Sequence, residues 1–209
     1  MRYDCVILAN GDFPTHHTPL SILEQASFLC CCDGAAQVAI EHGLQPKVIV
    51  GDGDSMTKGV KTDYSEILHL VSEQEDNDLT KATRYCKQQG FSNIAYIGAT
   101  GKREDHTIGN IFLLPRYLRD FNISVRMFTD NGFFLPAEGT TVFKSFPGQQ
   151  VSIFNISCTE IKSKGLRWES YAYRELWQGT LNESVGNSFT LYADGSYIVF
   201  QTYEKKIIP

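Results

Sequence analysis

The sequence predicts an α/β N-terminal domain with a mostly parallel sheet, followed by an all-β sandwich domain. Three observations lead there. Over roughly the first 130 residues, short apolar β-branched runs alternate with helical patterns, the signature of strand–helix–strand units. After Asp130-Asn131-Gly132 the helical periodicity stops, and short alternating strands separated by Gly- and Pro-marked turns replace it. The 209 residues are enough for two modest domains, each with its own core, and the change of texture divides them into 1–132 and 138–209.

The elements follow in order. Cys5-Val6-Ile7-Leu8 is the first strand and runs into the loop Asn10-Gly11-Asp12. Phe28 to Cys32 is the second; it opens through Asp33-Gly34 into a helix carrying Ala35, Ala36, Val38, Ala39 and Ile40, which Gly43 and Pro46 stop. Val48-Ile49-Val50 is the third strand and Ile67 to Val71 the fourth. Asn77 is a suitable N-cap for a helix from Asp78 to about Gln89, acidic at its start, with lysine and arginine further along and Gly90 at its end. Ile94-Ala95-Tyr96-Ile97 is the fifth strand and Ile123 to Phe128 the sixth. Between them the pattern predicts a helix over about Asp105 to Tyr117, broken or restarted at Pro115. In the tail, strands are expected at Thr140–Phe143, Val151–Phe154 and Ser188–Tyr192, with Asp194-Gly195 turning a hairpin into Tyr197–Phe200.

Composition narrows the function. A net charge of −5 without any block of lysine or arginine argues against a nucleic-acid surface. Such a chain still accepts anionic phosphates through metal ions, and it attracts cationic co-substrates. Met1-Arg2-Tyr3-Asp4 puts charge where a signal peptide needs apolar residues, and no run is long enough to span a membrane. The expectation is a cytoplasmic protein. Cys30, Cys31 and Cys32 alternate across one strand and do not converge on a metal or pair readily, so the six cysteines read as small buried hydrophobes.

Chemistry concentrates at the strand ends. Gly51-Asp52-Gly53-Asp54-Ser55 follows a buried strand at once, and its two carboxylates suit a hard divalent cation such as Mg²⁺. In isolation the same loop also reads as a solvated acidic turn. Three further acidic loops fall at the same topological place: Asp33-Gly34, Glu73 to Asp78, and Asp105. Together they would line one rim of a parallel sheet, where ligands of such sheets bind. The loop Gly98-Ala99-Thr100-Gly101-Lys102-Arg103-Glu104-Asp105-His106 adds glycines for close backbone approach to phosphate and the bidentate fork of Arg103. It lacks both the GxxxxGK[ST] spacing of an ATPase loop and the GxGxxG of a dinucleotide site.

With these motifs assembled, the sequence resembles the thiamin pyrophosphokinase family over nearly its whole length. The resemblance rests on the Asn10-Gly11 loop, Asp33-Gly34-Ala35-Ala36, Gly51-Asp52-Gly53-Asp54-Ser55, the stretch from Gln74 through Asp78 to Lys81-Ala82, and Gly101 to His106 with Asn110, all in order. It implies transfer of a pyrophosphoryl group from ATP to the hydroxyl of thiamin with Mg²⁺ and release of AMP, by a homodimer whose thiamin site is shared between subunits. By matching position it implies that Asp52, Asp54 and Asp78 act in catalysis and hold the metal. It assigns Asn10, Asp33, Arg103, Asp105 and His106 to ATP, and Gln74, Asp78, Trp168 and Asn187 to thiamin. His106 also reads as a structural helix-start residue, and Trp168 as sandwich core. The chain departs from the family pattern at Gly186, where serine is usual, and at Ala36-Gln37.

Other readings stay open at this point: a different Mg²⁺-dependent nucleotide phosphotransferase or hydrolase, or a non-catalytic nucleotide- or thiamin-binding sensor.

Overall fold

A computed structural model describes residues 2–205; residue 1 and residues 206–209, the end of the expected second domain, lie outside the described residues. The chain divides into two compact units, Met1–Asp130 and Asn131–Pro209.

The first unit is built from β1 (Cys5–Leu8), α1 (His17–Glu24), β2 (Leu29–Cys32), α2 (Ala35–Glu41), β3 (Val48–Gly51), α3 (Lys58–Asp63), β4 (Leu68–Leu70), α4 (Asp78–Gln88), β5 (Asn93–Ile97), α5 (Glu104–Phe121) and β6 (Ser124–Phe128). Its strands run in the order β6-β5-β1-β2-β3-β4, every adjacent pair parallel. Residues of β1, β2 and β3 are buried throughout, as the continuous apolar runs require of strands covered on both faces. The strand ends therefore share one rim, and each exit loop leaves there.

Two departures from the sequence expectation have clear causes. Helix α5 runs unbroken from Glu104 to Phe121 through Pro115. Proline removes one backbone hydrogen bond, but Leu114, Pro115 and Tyr117 are all buried, and that packing offsets the loss. Helix α1 fills a stretch with no expected element. Its cap is the His16 ring, whose Nδ1 accepts from the Thr18 N–H at 3.2 Å, a capping residue outside the usual Ser/Thr/Asp/Asn set.

Helix α4 carries the core polar contacts that fix its position. Thr80 and Thr83 are fully buried. The Thr80 hydroxyl lies 2.7 Å from the Tyr117 hydroxyl of α5, and the Thr83 hydroxyl lies 2.9 Å from that of Tyr96 on β5. Beneath the helix the thiols of Cys5 and Cys86 approach to 3.4 Å. All six cysteines are buried and free, as expected of small core hydrophobes.

The second unit contains β7 (Gly132–Glu138), β8 (Thr141–Lys144), β9 (Gln149–Asn155), β10 (Ile161–Lys164), β11 (Asn182–Glu183), β12 (Ser188–Ala193) and β13 (Ser196–Lys205). Strands β11-β9-β13-β7 form one antiparallel layer and β10-β12-β8 another. Ala137, Val151, Ile153, Tyr197 and Val199 from the first layer share a core with Phe143, Ile161, Phe189 and Leu191 from the second. Strands β7 and β10 were not expected; Pro136 within β7 and the lysines of β10 mask the strand pattern.

Replacing Thr83 by Val keeps the side-chain shape but leaves the buried Tyr96 hydroxyl without this partner. Stability should fall by about 1–3 kcal/mol, read as a lower urea midpoint with an unchanged slope.

Candidate active site

The rim of the parallel sheet is tied together by its own backbone. The exit of β1 runs beside the exit of β5: the Gly11 N–H donates to the Gly98 carbonyl at 2.6 Å, and the Asp12 N–H to the Thr100 carbonyl at 2.9 Å. A Cβ at Gly11 would stand 2.2 Å from the Thr100 oxygen, so only glycine permits this approach. Asp33, at the exit of β2, adopts a left-handed conformation with φ of 37°. Its carboxylate reaches across to the next loop, where Oδ2 accepts from the Ser55 N–H at 2.8 Å. Gly51 makes room for it, since a Cβ there would come within 2.7 Å of the Asp33 Cβ.

The loop from β4 to α4 is held by ion pairs. Asp76 accepts from Arg116 of α5 at 2.7 Å and pairs with Arg84 of α4 at 3.3 Å, while Arg84 also bonds Glu73. Asn77 caps α4 by accepting from the Thr80 N–H at 3.0 Å. Its amide donates to Asn110 at 2.9 Å, and Asn110 in turn donates to the Ala99 carbonyl at 2.8 Å, linking this loop to the one after β5.

These loops enclose a cavity of about 420 Å³. Among the expected residues, Asn10, Asp52, Gln74, Asp78, Arg103 and His106 line it. Asp33, Asp54 and Asp105 do not. Asp54 is exposed and offers its backbone N–H to Asp52 Oδ1 at 3.0 Å, so the two halves of Asp52-Gly53-Asp54 are placed differently. Asp105 pairs with Arg103, the guanidinium donating to both carboxylate oxygens at 3.1 and 2.6 Å. Trp168 and Asn187 belong to the second unit. Trp168 is 55% exposed, so its indole is not part of the sandwich core. It borders a small hollow with Tyr171 and Tyr173. At Gly186 a Cβ would make only an ordinary contact, 3.9 Å from the Ser188 carbonyl oxygen, so neither sterics nor a positive φ demands glycine there.

The electrostatics separate Asp52 and Asp78, two of the three carboxylates that line the cavity; the third, Asp76, is paired with Arg84 and Arg116. The Asp54 N–H, together with Gln74 and Lys81, holds the Asp52 carboxyl below the usual range. Burial pushes the Asp78 carboxyl up, reinforced by the charges of Asp52 and Asp33 and opposed by Lys81. Divergent environments of this kind assign different tasks to neighbouring acids.

The residues fit a Mg²⁺ ion. Among the described residues no group of three or more His, Cys, Asp or Glu side chains is gathered to cage a metal by itself. Mg²⁺ needs no such cage, because it takes one or two carboxylates and completes its shell with water and phosphate oxygens. Asp33 supplies the second sign: it is 1% exposed, and its Oδ1 has no hydrogen-bond partner. A buried carboxylate oxygen without a donor calls for a cation nearby.

Comparison with known proteins places this geometry. Residues 20–127 match the family profile described as "Thiamin pyrophosphokinase, catalytic domain", and residues 132–200 match "Thiamin pyrophosphokinase, substrate-binding domain". The chain belongs to the thiamin pyrophosphokinase family. It is similar to a thiamin pyrophosphokinase of Caenorhabditis elegans, 28% identical over 107 residues covering 47% of this chain and 44% of that protein. It is 30% identical to one of Arabidopsis thaliana over 141 residues, covering 56% of this chain and 52% of the relative. The matched stretches thus span about half the length of these relatives. A crystal structure of a thiamin pyrophosphokinase family protein from Enterococcus faecalis shares the fold with a TM-score of 0.78 at 19% identity, covering 98% of this chain and 100% of the other.

Within this thiamin pyrophosphokinase fold, two residues carry parts that the motif reading leaves without a role. Asp76 clamps the loop that presents Gln74 and Asp78. Lys81 lines the cavity although it lies inside α4. The sequence signal for Lys81 was its spacing, three residues beyond Asp78 and still within the first helical turn.

Replacing Asp76 by Ala should loosen the β4–α4 loop. With about 1 kcal/mol of ion-pair stabilisation lost, amide exchange over 73–77 should accelerate about fivefold while β1 and β2 keep their protection. Unchanged exchange in that loop would show that the clamp contributes nothing.

Proposed function

We propose that this protein transfers the pyrophosphoryl group of ATP to the hydroxyl of thiamin, yielding thiamin diphosphate and AMP. The observation that carries the reading is the match to the family's catalytic-domain profile over residues 20–127, coinciding with an acidic cavity at the carboxyl rim of the sheet.

The chemistry is a displacement at phosphorus. The thiamin hydroxyl oxygen attacks the β-phosphorus of ATP, the bond to the α–β bridging oxygen breaks, and AMP departs with that oxygen. Asp78 orients the hydroxyl and takes its proton; a half-buried carboxyl with a raised affinity for protons suits that task. Asp52 and Asp78 are the cavity carboxylates that would hold Mg²⁺, with Asp54 acting through water from the loop's exposed side. The bound ion would neutralise phosphate charge and align the ATP oxygens. Gln74 and Asp78, which both line the cavity, would contact thiamin. Asn10, Arg103 and His106 line the cavity and would contact ATP, with Asp33 buried at the exit of β2 and Asp105 paired with Arg103.

In this reading the protein works in the cytoplasm as a homodimer, and Trp168 and Asn187 complete the thiamin site of the partner subunit. The exposed indole supports that assignment, because an aromatic face attracts the cationic thiazolium. Among the described residues no helix is long and apolar enough to cross a membrane.

Mass analysis of a reaction containing ATP, Mg²⁺ and thiamin tests the proposal: thiamin diphosphate and AMP should appear together. ADP or free phosphate would indicate another phosphotransferase or a hydrolase, and binding without turnover a sensor. Asp78→Asn should lower kcat about 1,000-fold with circular dichroism unchanged; turnover near that of the parent would remove Asp78 from the mechanism. Trp168→Ala should raise the KM for thiamin about tenfold, while the KM for ATP stays within about twofold. An equal rise in both would count against stacking.

A further inference from the structure

We propose that Lys81 donates to the phosphoryl oxygens of the group being transferred, an assignment that rests on the phosphoryl-transfer reading above. Lysine is almost never fully buried unless it is paired. Here the residue is 3% exposed, yet among the described residues its Nζ has one hydrogen-bonding partner, Asp78 Oδ1 at 3.5 Å. An ammonium has three N–H donors and no acceptor, and this contact lies at the outer limit of a hydrogen bond.

Helix stability does not account for the position. Lys81 stands in the first turn of α4, where the helix dipole is positive and a cation is disfavoured. Its placement at i+3 from Asp78 puts both side chains on the same face, and both line the cavity that also contains Asp52. A charge that is disfavoured by its helix, removed from water and loosely bonded inside a cavity is arranged to meet an anion brought by the ligand. A polyphosphate supplies one. As the β-phosphorus changes partners, negative charge on its oxygens meets a preorganised donor that is itself shielded from water. Lys81 keeps its proton throughout; the hydroxyl proton goes to Asp78.

The alternative is a counter-ion that only balances Asp52 and Asp78. Calorimetric titration of the full chain with the magnesium salt of inorganic tripolyphosphate separates the two. Lys81→Met, which keeps the length and apolar stem, should weaken tripolyphosphate binding about 30-fold, and Lys81→Arg should recover part of it. Thiamin binding should stay within about twofold in both. In turnover, Lys81→Met should lower kcat about 100-fold with little change in the KM for thiamin.

Unchanged tripolyphosphate binding in Lys81→Met, or no binding by the parent chain at millimolar ligand, would overturn the assignment. If Lys81→Met does not fold, the parent chain with isotope-labelled lysine gives the answer. The Nζ resonance absent from Lys81→Arg should shift on adding tripolyphosphate, and a resonance that stays still would overturn it. Failure of the parent to make thiamin diphosphate would refute the activity while leaving the tripolyphosphate comparison intact.

Discussion

Parallel pairing of the first unit's strands is the constraint on which the site depends. Because β1 through β6 all pair in the same direction, each must be left at the same rim. That rim collects the turns after β1, β2, β3, β4 and β5 into one place. Strands β1, β2 and β3 are buried throughout, so the loops anchored in them inherit the spacing of the sheet. A carboxylate on one loop can then act on the next, as Asp33 does when its Oδ2 takes the Ser55 N–H.

The rim concentrates negative charge and also limits it. Asp76 and Asp105 are neutralised by arginines, Asp76 by two and Asp105 by Arg103. Three carboxylates line the cavity; with Asp76 paired to arginines, Asp52 and Asp78 are the two without an arginine partner among the described residues, and Asp33 is buried. Their environments push them in opposite directions, Asp52 toward the charged form and Asp78 toward the neutral one. The acidic loops thus carry carboxylates that tie the loops through arginine, Asp76 and Asp105, and carboxylates that line the cavity without an arginine partner among the described residues, Asp52 and Asp78.

The second unit follows a different logic. Its two antiparallel layers bury alternate residues of each strand, which leaves the connecting segment from β10 to β11 to carry aromatic side chains outward. Trp168, Tyr171 and Trp177 are all more than half exposed on this segment. Trp168 is held by its backbone, which exchanges two hydrogen bonds with the Asn182 side chain at 3.2 and 2.8 Å. An exposed indole on an anchored backbone is a preformed contact surface.

Much of this was legible in the chain itself. The runs Cys5–Leu8, Phe28–Cys32 and Val48–Val50 announce buried strands because continuous apolar residues suit both covered faces of a parallel sheet. The Asn77 cap and the Gly-Asp loops mark where helices and turns begin, since those preferences are local and act within a few residues. The family resemblance followed from the order of those motifs. What local chemistry does not contain is which side chains meet across loops. Nothing near Asp76 in sequence names Arg116 as its partner, and nothing near Asn77 names Asn110. The spacing of Asp52 and Asp54 leaves their division of labour open, whereas the turn at Gly53 puts one carboxylate in the cavity and the other outside it. Sequence alone determined the six parallel strands of the first unit, the helices α2, α4 and α5 between them and the set of chemical groups, because propensity and periodicity are short-range. Only the tertiary structure decided which of those groups are paired, which are buried and which are left to face a ligand, because packing brings together residues far apart in the chain.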